Sequence, residues 1–291
     1  MSVERVERPG ASVAYWVRGE GASTLLLVHN LLLDHRVFDG VVAELSQTCR
    51  VVTVDLRGHG ESRGTTRSFS VPDLADDLVA ILDAVGAERA VVVGVSLGAS
   101  SALELAVTHP DRVRALMLMG ASPFAASLSD KVQNVALGLA VRLFGTQSAL
   151  IGQVIPILFG ESFRAAEPEI VATWKSRIRA LDKRDLWRGV RSWIGRPSRL
   201  EALSRVTCPT LVVLGGEDIA CPPAVGQKLA DGIPGARLEQ LDSAGHSVPV
   251  EQPDGVLRLL QGLLSEVEGS LPDSIPSKQE EPGEGEVQAS P

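Results

Sequence analysis

Ser96 stands at the centre of Gly94-Val95-Ser96-Leu97-Gly98, directly after the apolar run Val91-Val92-Val93 and directly before the helix-forming stretch Ala99 to Thr108. A strand that ends in a glycine-flanked serine and turns at once into a helix presents a hydroxyl as a nucleophile. The turn is sharp, the glycines leave room because they lack a Cβ, and the serine is held at the top of the sheet. The Leu97 amide, at the start of the helix, is placed to face a developing oxyanion. The pentapeptide alone describes equally well a small-residue turn, so its weight comes from its surroundings.

A serine hydroxyl becomes a strong nucleophile only when a base takes its proton, and an acid must orient that base. The chain has five histidines, at 29, 35, 59, 109 and 246. After a strand–turn–helix serine the acid and then the base follow in chain order, which leaves His109 and His246. His109, in Thr108-His109-Pro110-Asp111, reads as a helix end and cap. His246, in Ser243-Ala244-Gly245-His246-Ser247, follows the strand-like Arg237 to Leu241 and reads as the base. The acid is expected after the apolar run Thr210 to Leu214, where Gly215-Gly216 lets the chain turn into Glu217 and Asp218. Asp218 is the preferred acid and Glu217 the alternative. Asp242, nearer to His246 in sequence, better suits a turn or a helper.

With these residues in place, the chain resembles enzymes of the α/β-hydrolase fold from Ser12 to about Leu264. Leu25-Leu26-Leu27-Val28-His29-Asn30-Leu31 resembles the family's strand and oxyanion loop. Val51 to Ser62, with Asp55-Leu56-Arg57-Gly58-His59-Gly60-Glu61-Ser62, resembles its D-x-R-G-x-G-x-S turn. The Ser96 elbow and the Asp218/His246 pair complete the set in order. The resemblance implies a second oxyanion amide at Leu31, an acyl-enzyme on Ser96, and no metal or organic cofactor. A serine nucleophile sets the chain apart from the aspartate-dependent dehalogenases and epoxide hydrolases of this fold. One departure is Asn30, where the family usually has glycine; asparagine also tolerates left-handed backbone. The segment His29 to Asp39 is similar to that of 3-oxoadipate enol-lactonases, a lean towards lactones.

The elements that must position these residues follow from periodicity. Apolar runs at Thr24–Val28, Val51–Val54, Ala90–Val93, Ala115–Met119, Thr210–Leu214 and Arg237–Leu241 alternate with helical patterns at His35–Leu45, Val71–Val85, Leu97–Thr108, Ala224–Asp231 and Asp254–Leu264. Continuously apolar strands separated by helices predict a mainly parallel sheet with helices on both faces. Ser12–Arg18 alternates and is expected as an antiparallel edge strand. The alternation breaks between Ser122 and Leu203, where helical patterns occur without a strand. The expected division is a core of residues 1–121 and 204–268, a helical cap inserted at 122–203, and an acidic, proline-rich tail at 269–291 too poor in apolar residues to fold. Within the cap, Lys131–Phe159 is apolar. The ten Lys and Arg residues from Arg164 to Arg199 either solvate helix faces or draw a carboxylate-bearing substrate towards the site.

The composition narrows the class. At 291 residues the chain can bury a large core, and 44% hydrophobic with 4% aromatic residues fits an aliphatic one. A net charge of −8 gives no footing for nucleic acid. Three cysteines without metal-ligand spacing read as reduced thiols of a cytoplasmic protein. No charged-then-apolar leader precedes Ser12, and the longest uncharged stretch, Leu143–Gly160, is broken by Gly and Pro, so no membrane role is expected. The expectation is a serine hydrolase of a small-molecule ester or lactone. The alternatives on the same triad are a carbon–carbon bond hydrolase and a cofactor-free perhydrolase; outside enzymes, the alternative is a ligand receptor or interaction protein on a hydrolase scaffold. Oligomeric state is not legible.

Overall fold

The computed structural model describes residues 2–128, 131–132, 135 and 148–269. Eight strands form one sheet: β1 (Glu4–Arg8), β2 (Ala11–Arg18), β3 (Thr24–Val28), β4 (Arg50–Asp55), β5 (Ala90–Val95), β6 (Val113–Met119), β7 (Thr210–Gly215) and β8 (Arg237–Leu241), in the order β1-β2-β4-β3-β5-β6-β7-β8. From β4 to β8 every pairing is parallel, while β1/β2 and β2/β4 are antiparallel. This is the mainly parallel sheet expected. One detail differs. Ser12–Arg18 is not the edge strand, because β2 lies between β1 and β4. The true edge, β1, is short and alternates Glu and Arg, a pattern that suits a strand half in water and blunts unwanted edge pairing.

The central strands β3 to β7 are largely apolar and buried along nearly their whole length because both faces are covered, whereas β8 at the far edge leaves Arg237, Glu239 and Gln240 exposed. In β3 successive side chains alternate sides. Leu26 and Val28 join one apolar cluster with Val52, Val54 and Val92, and Leu25 and Leu27 join the other with Val51, Val91 and Val93. The first face is covered by α2 (Val71–Ala84), α3 (Leu97–Thr108) and α8 (Pro223–Gly232). The second is covered by α1 (Asp39–Leu45) and α10 (Pro253–Gly269). Completely burying each Val or Leu is worth about 1.5–3 kcal/mol. The start of α2 is fixed by Ser70, whose hydroxyl and amide exchange hydrogen bonds with Asp73 in a capping box, with Pro72 in the first turn. The stretch expected as one helix, His35–Leu45, is a 3-10 turn at His35–Phe38 followed by α1.

Between β6 and β7 the described residues form helices and no strand: α4 (Ser148–Leu158), α5 (Glu161–Ala166), α6 (Pro168–Arg179) and α7 (Lys183–Ile194). A short helix, α9 (Val248–Glu251), follows β8. The final helix runs on to Gly269, five residues beyond the periodic pattern. The acidic tail from 270 onward, and residues 133–134 and 136–147 of the apolar stretch, lie outside the described residues.

The D-x-R-G-x-G-x-S turn after β4 is a structural staple. Asp55 accepts hydrogen bonds from the amides of His35 and Glu61, both at 2.7 Å, and Ser62 accepts from the Ala14 amide at 2.9 Å. Arg57 and Asp77, 2% and 1% exposed, form a bidentate ion pair that joins this turn to α2, and Arg8 reaches the same carboxylate at 3.0 Å.

Candidate active site

The turn after β5 places Ser96 in a backbone conformation that L-residues avoid, with φ at 51°. Such strain costs about 1–3 kcal/mol and persists only when the surroundings over-determine it. Here they do. The Ser96 amide donates to the Met119 carbonyl at 2.9 Å, and its own carbonyl accepts from Ser100 at 2.8 Å to start α3. A Cβ on Gly94 would lie 2.5 Å from the Gly98 carbonyl oxygen, and one on Gly98 would lie 2.2 Å from that of Val28. Both glycines are therefore required for strand, turn and helix to approach this closely.

Asp218 and His246 lie at the same end of the sheet, after β7 and β8. His246 Nδ1 is 2.8 Å from Asp218 Oδ2, and both residues are buried. Asp218 Oδ1 accepts from the amides of Ala220 and Cys221, each at 2.8 Å, so the whole carboxylate is fixed. A carboxylate can only accept, so Nδ1 carries the proton and Nε2 is left as the basic nitrogen. Burial opposes a charged imidazole. The charge and hydrogen bond of Asp218, helped by the charge of Glu251, outweigh it and hold the His246 pKa above its ordinary value. The end of β6 lies beside both the pair and the turn that holds Ser96, because Met119 accepts from the Ser96 amide. A Cβ on Gly120, which follows Met119, would sit 3.0 Å from His246 Nδ1 and 3.2 Å from Asp218 Oδ2.

The loop after β3 completes the cluster. His29 is fully buried; its Nδ1–H donates to the Asn30 carbonyl at 2.7 Å and its Nε2 accepts from the Leu56 amide at 2.9 Å. Desolvation lowers its pKa, so it serves as a neutral bracket between two loops. Asn30 donates through Nδ2 to the Ser247 hydroxyl at 3.0 Å, which links this loop to the residue after His246. Leu31 is half-buried, and Leu32 takes φ 74°, a left-handed leucine. Leu97, the first residue of α3, is fully buried.

The other sequence candidates have different work. Glu217 accepts from the Ser162 amide at 2.9 Å and from its hydroxyl, which fixes the start of α5, and these bonds lower its pKa. Asp242 is exposed and accepts from Gln240 at 2.7 Å. His109 is the C-cap residue of α3, at the far end from Ser96. His59 is buried, with a pKa pushed down to about 4 by desolvation and by His29, and its Nε2 has no hydrogen-bond partner. His35 stacks on Trp16 with ring centroids 3.6 Å apart. Asp34, His35 and Asp55 converge within metal-ligand distance. Their atoms are already committed: Asp34 pairs through both oxygens with Arg36, and Asp55 holds His35 and Glu61. Four residues of the basic stretch are likewise engaged. Arg164 donates to the Phe159 carbonyl, Arg188 pairs with Asp185, Arg196 donates to the Phe124 carbonyl and Arg199 pairs with Glu104.

Three features escape sequence reading: the Asn30–Ser247 bond, the left-handed Leu32, and Glu251. Glu251 alone had a local signal, as an acid four residues after Ser247 at the start of a short helix.

A family model described as the alpha/beta hydrolase fold matches residues 23–147. The chain is 30% identical over 234 residues to a 2-hydroxymuconate semialdehyde hydrolase of Pseudomonas putida, covering 77% of this chain and 79% of that one. Among solved structures it is similar to a thermophilic esterase from Thermogutta terrifontis, with a TM-score of 0.86 and 27% identity over 92% of this chain and 99% of that chain. It is also similar to the enol-lactonase from Burkholderia xenovorans LB400, with a TM-score of 0.84 and 26% identity over 90% and 100%. A mainly parallel sheet of this order, a strained serine after β5, and these likenesses converge on one conclusion: the chain belongs to the α/β hydrolase fold family.

Proposed function

We propose that this chain is a serine hydrolase that cleaves a small carboxylic ester or lactone through an acyl-enzyme. Ser96 attacks the acyl carbon while His246 Nε2 takes its proton. The oxyanion that forms is held by the amides of Leu31 and Leu97. The intermediate collapses, and His246 delivers the proton to the leaving oxygen. Water, deprotonated by the same nitrogen, then attacks the acyl carbon and releases the acid and Ser96. Asp218 keeps the imidazole in the tautomer this needs and balances its transient charge. The observation that carries the reading is the 2.8 Å Asp218–His246 bond, packed on Gly120 beside the strand end that holds the strained Ser96. The esterase and enol-lactonase likenesses support ester and lactone chemistry. In this reading residues 122–203 are a cap over a core of residues 1–121 and 204–268, and the substrate enters between them. Three free, buried cysteines support a cytoplasmic setting. Among the described residues no helix is long and apolar enough to cross a membrane. The test is turnover of a panel of esters and lactones by wild type against Ser96→Ala.

A second reading, hydrolysis of a carbon–carbon bond on the same triad, is favoured by one observation. The relative at 30% identity is named for a substrate that contains no ester. Turnover of vinylogous 1,5-diketones with esters left intact would favour it.

A further inference from the structure

Glu251 stands outside the reaction just described, yet its carboxylate grips the backbone on both sides of His246. Its Oε2 accepts from the Gly245 amide at 2.8 Å, and its Oε1 accepts from the Ser247 amide at 2.9 Å. The same Oε2 also accepts from the Gly160 amide at 2.8 Å. Gly160 lies between α4 and α5, in the helical insertion. One half-buried carboxylate thus gathers three backbone donors from two segments 85 residues apart in sequence.

Two further contacts tie these segments together. The Ser247 amide is shared with the Leu158 carbonyl at 3.0 Å. A Cβ on Gly245 would lie 2.2 Å from the Gly160 nitrogen, so the two backbones touch and only glycine fits. A helix-capping role accounts for part of this. Ser247 is the N-cap of α9, and a glutamate in the first turns of a helix commonly reaches back to that amide. It does not account for Gly245 and Gly160, which lie outside α9. Burial raises the Glu251 pKa above its ordinary value, and the three amides with His246 offset only part of that penalty.

We propose that Glu251 is a positioning residue for His246, and that through Gly160 it joins the seat of the helical insertion to the placement of the base. The inference rests on the reading of His246 as the general base. With Glu251 in place, the peptides flanking His246 are held from one side, while Asn30 holds the Ser247 hydroxyl from another. Without it, Gly245, Ser247 and Gly160 each lose an acceptor, and the imidazole loses its fixed distance to Ser96. Glutamine is the informative replacement. It has the same shape but only one accepting oxygen, so it must leave either Ser247 or the Gly245/Gly160 pair facing an amide NH2.

The test compares Glu251→Gln and Glu251→Asp with wild type by two readouts. The first is kcat per active site, with sites counted by fluorophosphonate titration. Because a displacement of about 1 Å at a catalytic group costs about 10²-fold, kcat per site should fall at least about 10-fold with KM changed less than about threefold. The second is amide hydrogen exchange, which should accelerate together in 243–248 and 158–163. A merely structural glutamate would lower the number of titratable sites and leave kcat per site at the wild-type value. That result, or exchange unchanged in both segments, overturns the inference. A wild type that turns over no ester strikes at the proposed function instead, and the exchange result then still decides whether Glu251 holds the two segments.

Discussion

His246 Nδ1 and Asp218 Oδ2 lie 2.8 Å apart, and the other carboxylate oxygen is held by two backbone amides, so the orientation of the imidazole is set by groups that cannot rotate away. Asp218→Asn would place an amide where Nδ1–H now donates and favour the wrong tautomer. On the proposed function, kcat should fall on the order of 10³–10⁴-fold. Glu217→Gln should do far less, because Glu217 fixes the start of α5 and makes no bond to His246. Steady-state kinetics of the two variants checks this; a larger loss in Glu217→Gln would reverse the assignment of the acid.

The same pair sets the pH dependence. The folded His246 pKa lies above 6.5. A base must be neutral to accept a proton, so kcat/KM should rise with pH through a limb above 6.5. In Asp218→Asn the main raising influence is gone, only the smaller pull of Glu251 is left, and burial remains, so the limb in the residual activity should move to lower pH. For stability the sign is opposite. A raised folded pKa adds stability below the unfolded value, and that contribution is lost as pH rises through the folded pKa. A limb that stays in place in Asp218→Asn would show that another group governs it.

Asn30→Ala separates activity from stability. The substitution removes the donor to Ser247 but also removes Oδ1, a buried acceptor without a partner. The lost bond and the relieved desolvation are each about 1 kcal/mol and act in opposite directions. Urea midpoints should therefore stay close to wild type while kcat falls. Loss of stability without loss of kcat would show that the bond is only structural.

Asp77→Ala should be among the most damaging changes in the core. It strands Arg57, a buried guanidinium, and removes the partner of Arg8. Breaking a buried pair from one side costs about 3–5 kcal/mol. Equilibrium denaturation measures this directly; a cost below 1 kcal/mol would mean that water reaches Arg57.

The sequence was most legible where one physical requirement dominates. Continuous Val and Leu runs can only be strands covered on both faces, and the glycines at 94 and 98 follow from the closeness of strand and helix. Charge alternation in Glu4–Arg8 hides β1 from a sequence reading, because an edge strand half in water carries little apolar signal, and Ser12–Arg18 then reads as the edge. Residue type alone favours Asp218 over Glu217 only weakly, because both are carboxylates at the same strand end. Neighbouring residues at a strand end point different ways, and only the fold shows that Asp218 meets His246 while Glu217 meets Ser162. The reach of Glu251 to the Gly160 amide and of Asn30 to the Ser247 hydroxyl joins segments far apart in sequence, and no local pattern encodes such partners.

The central claim is that Ser96 is the nucleophile. Wild type and Ser96→Ala would be treated with a fluorophosphonate, mapped by peptide mass and assayed on the same ester. The account predicts one label on wild-type Ser96, none on the folded variant, and a loss of at least about 10³-fold in kcat. Hydrolysis at the wild-type rate by folded Ser96→Ala, or a label carried on another residue, would contradict it.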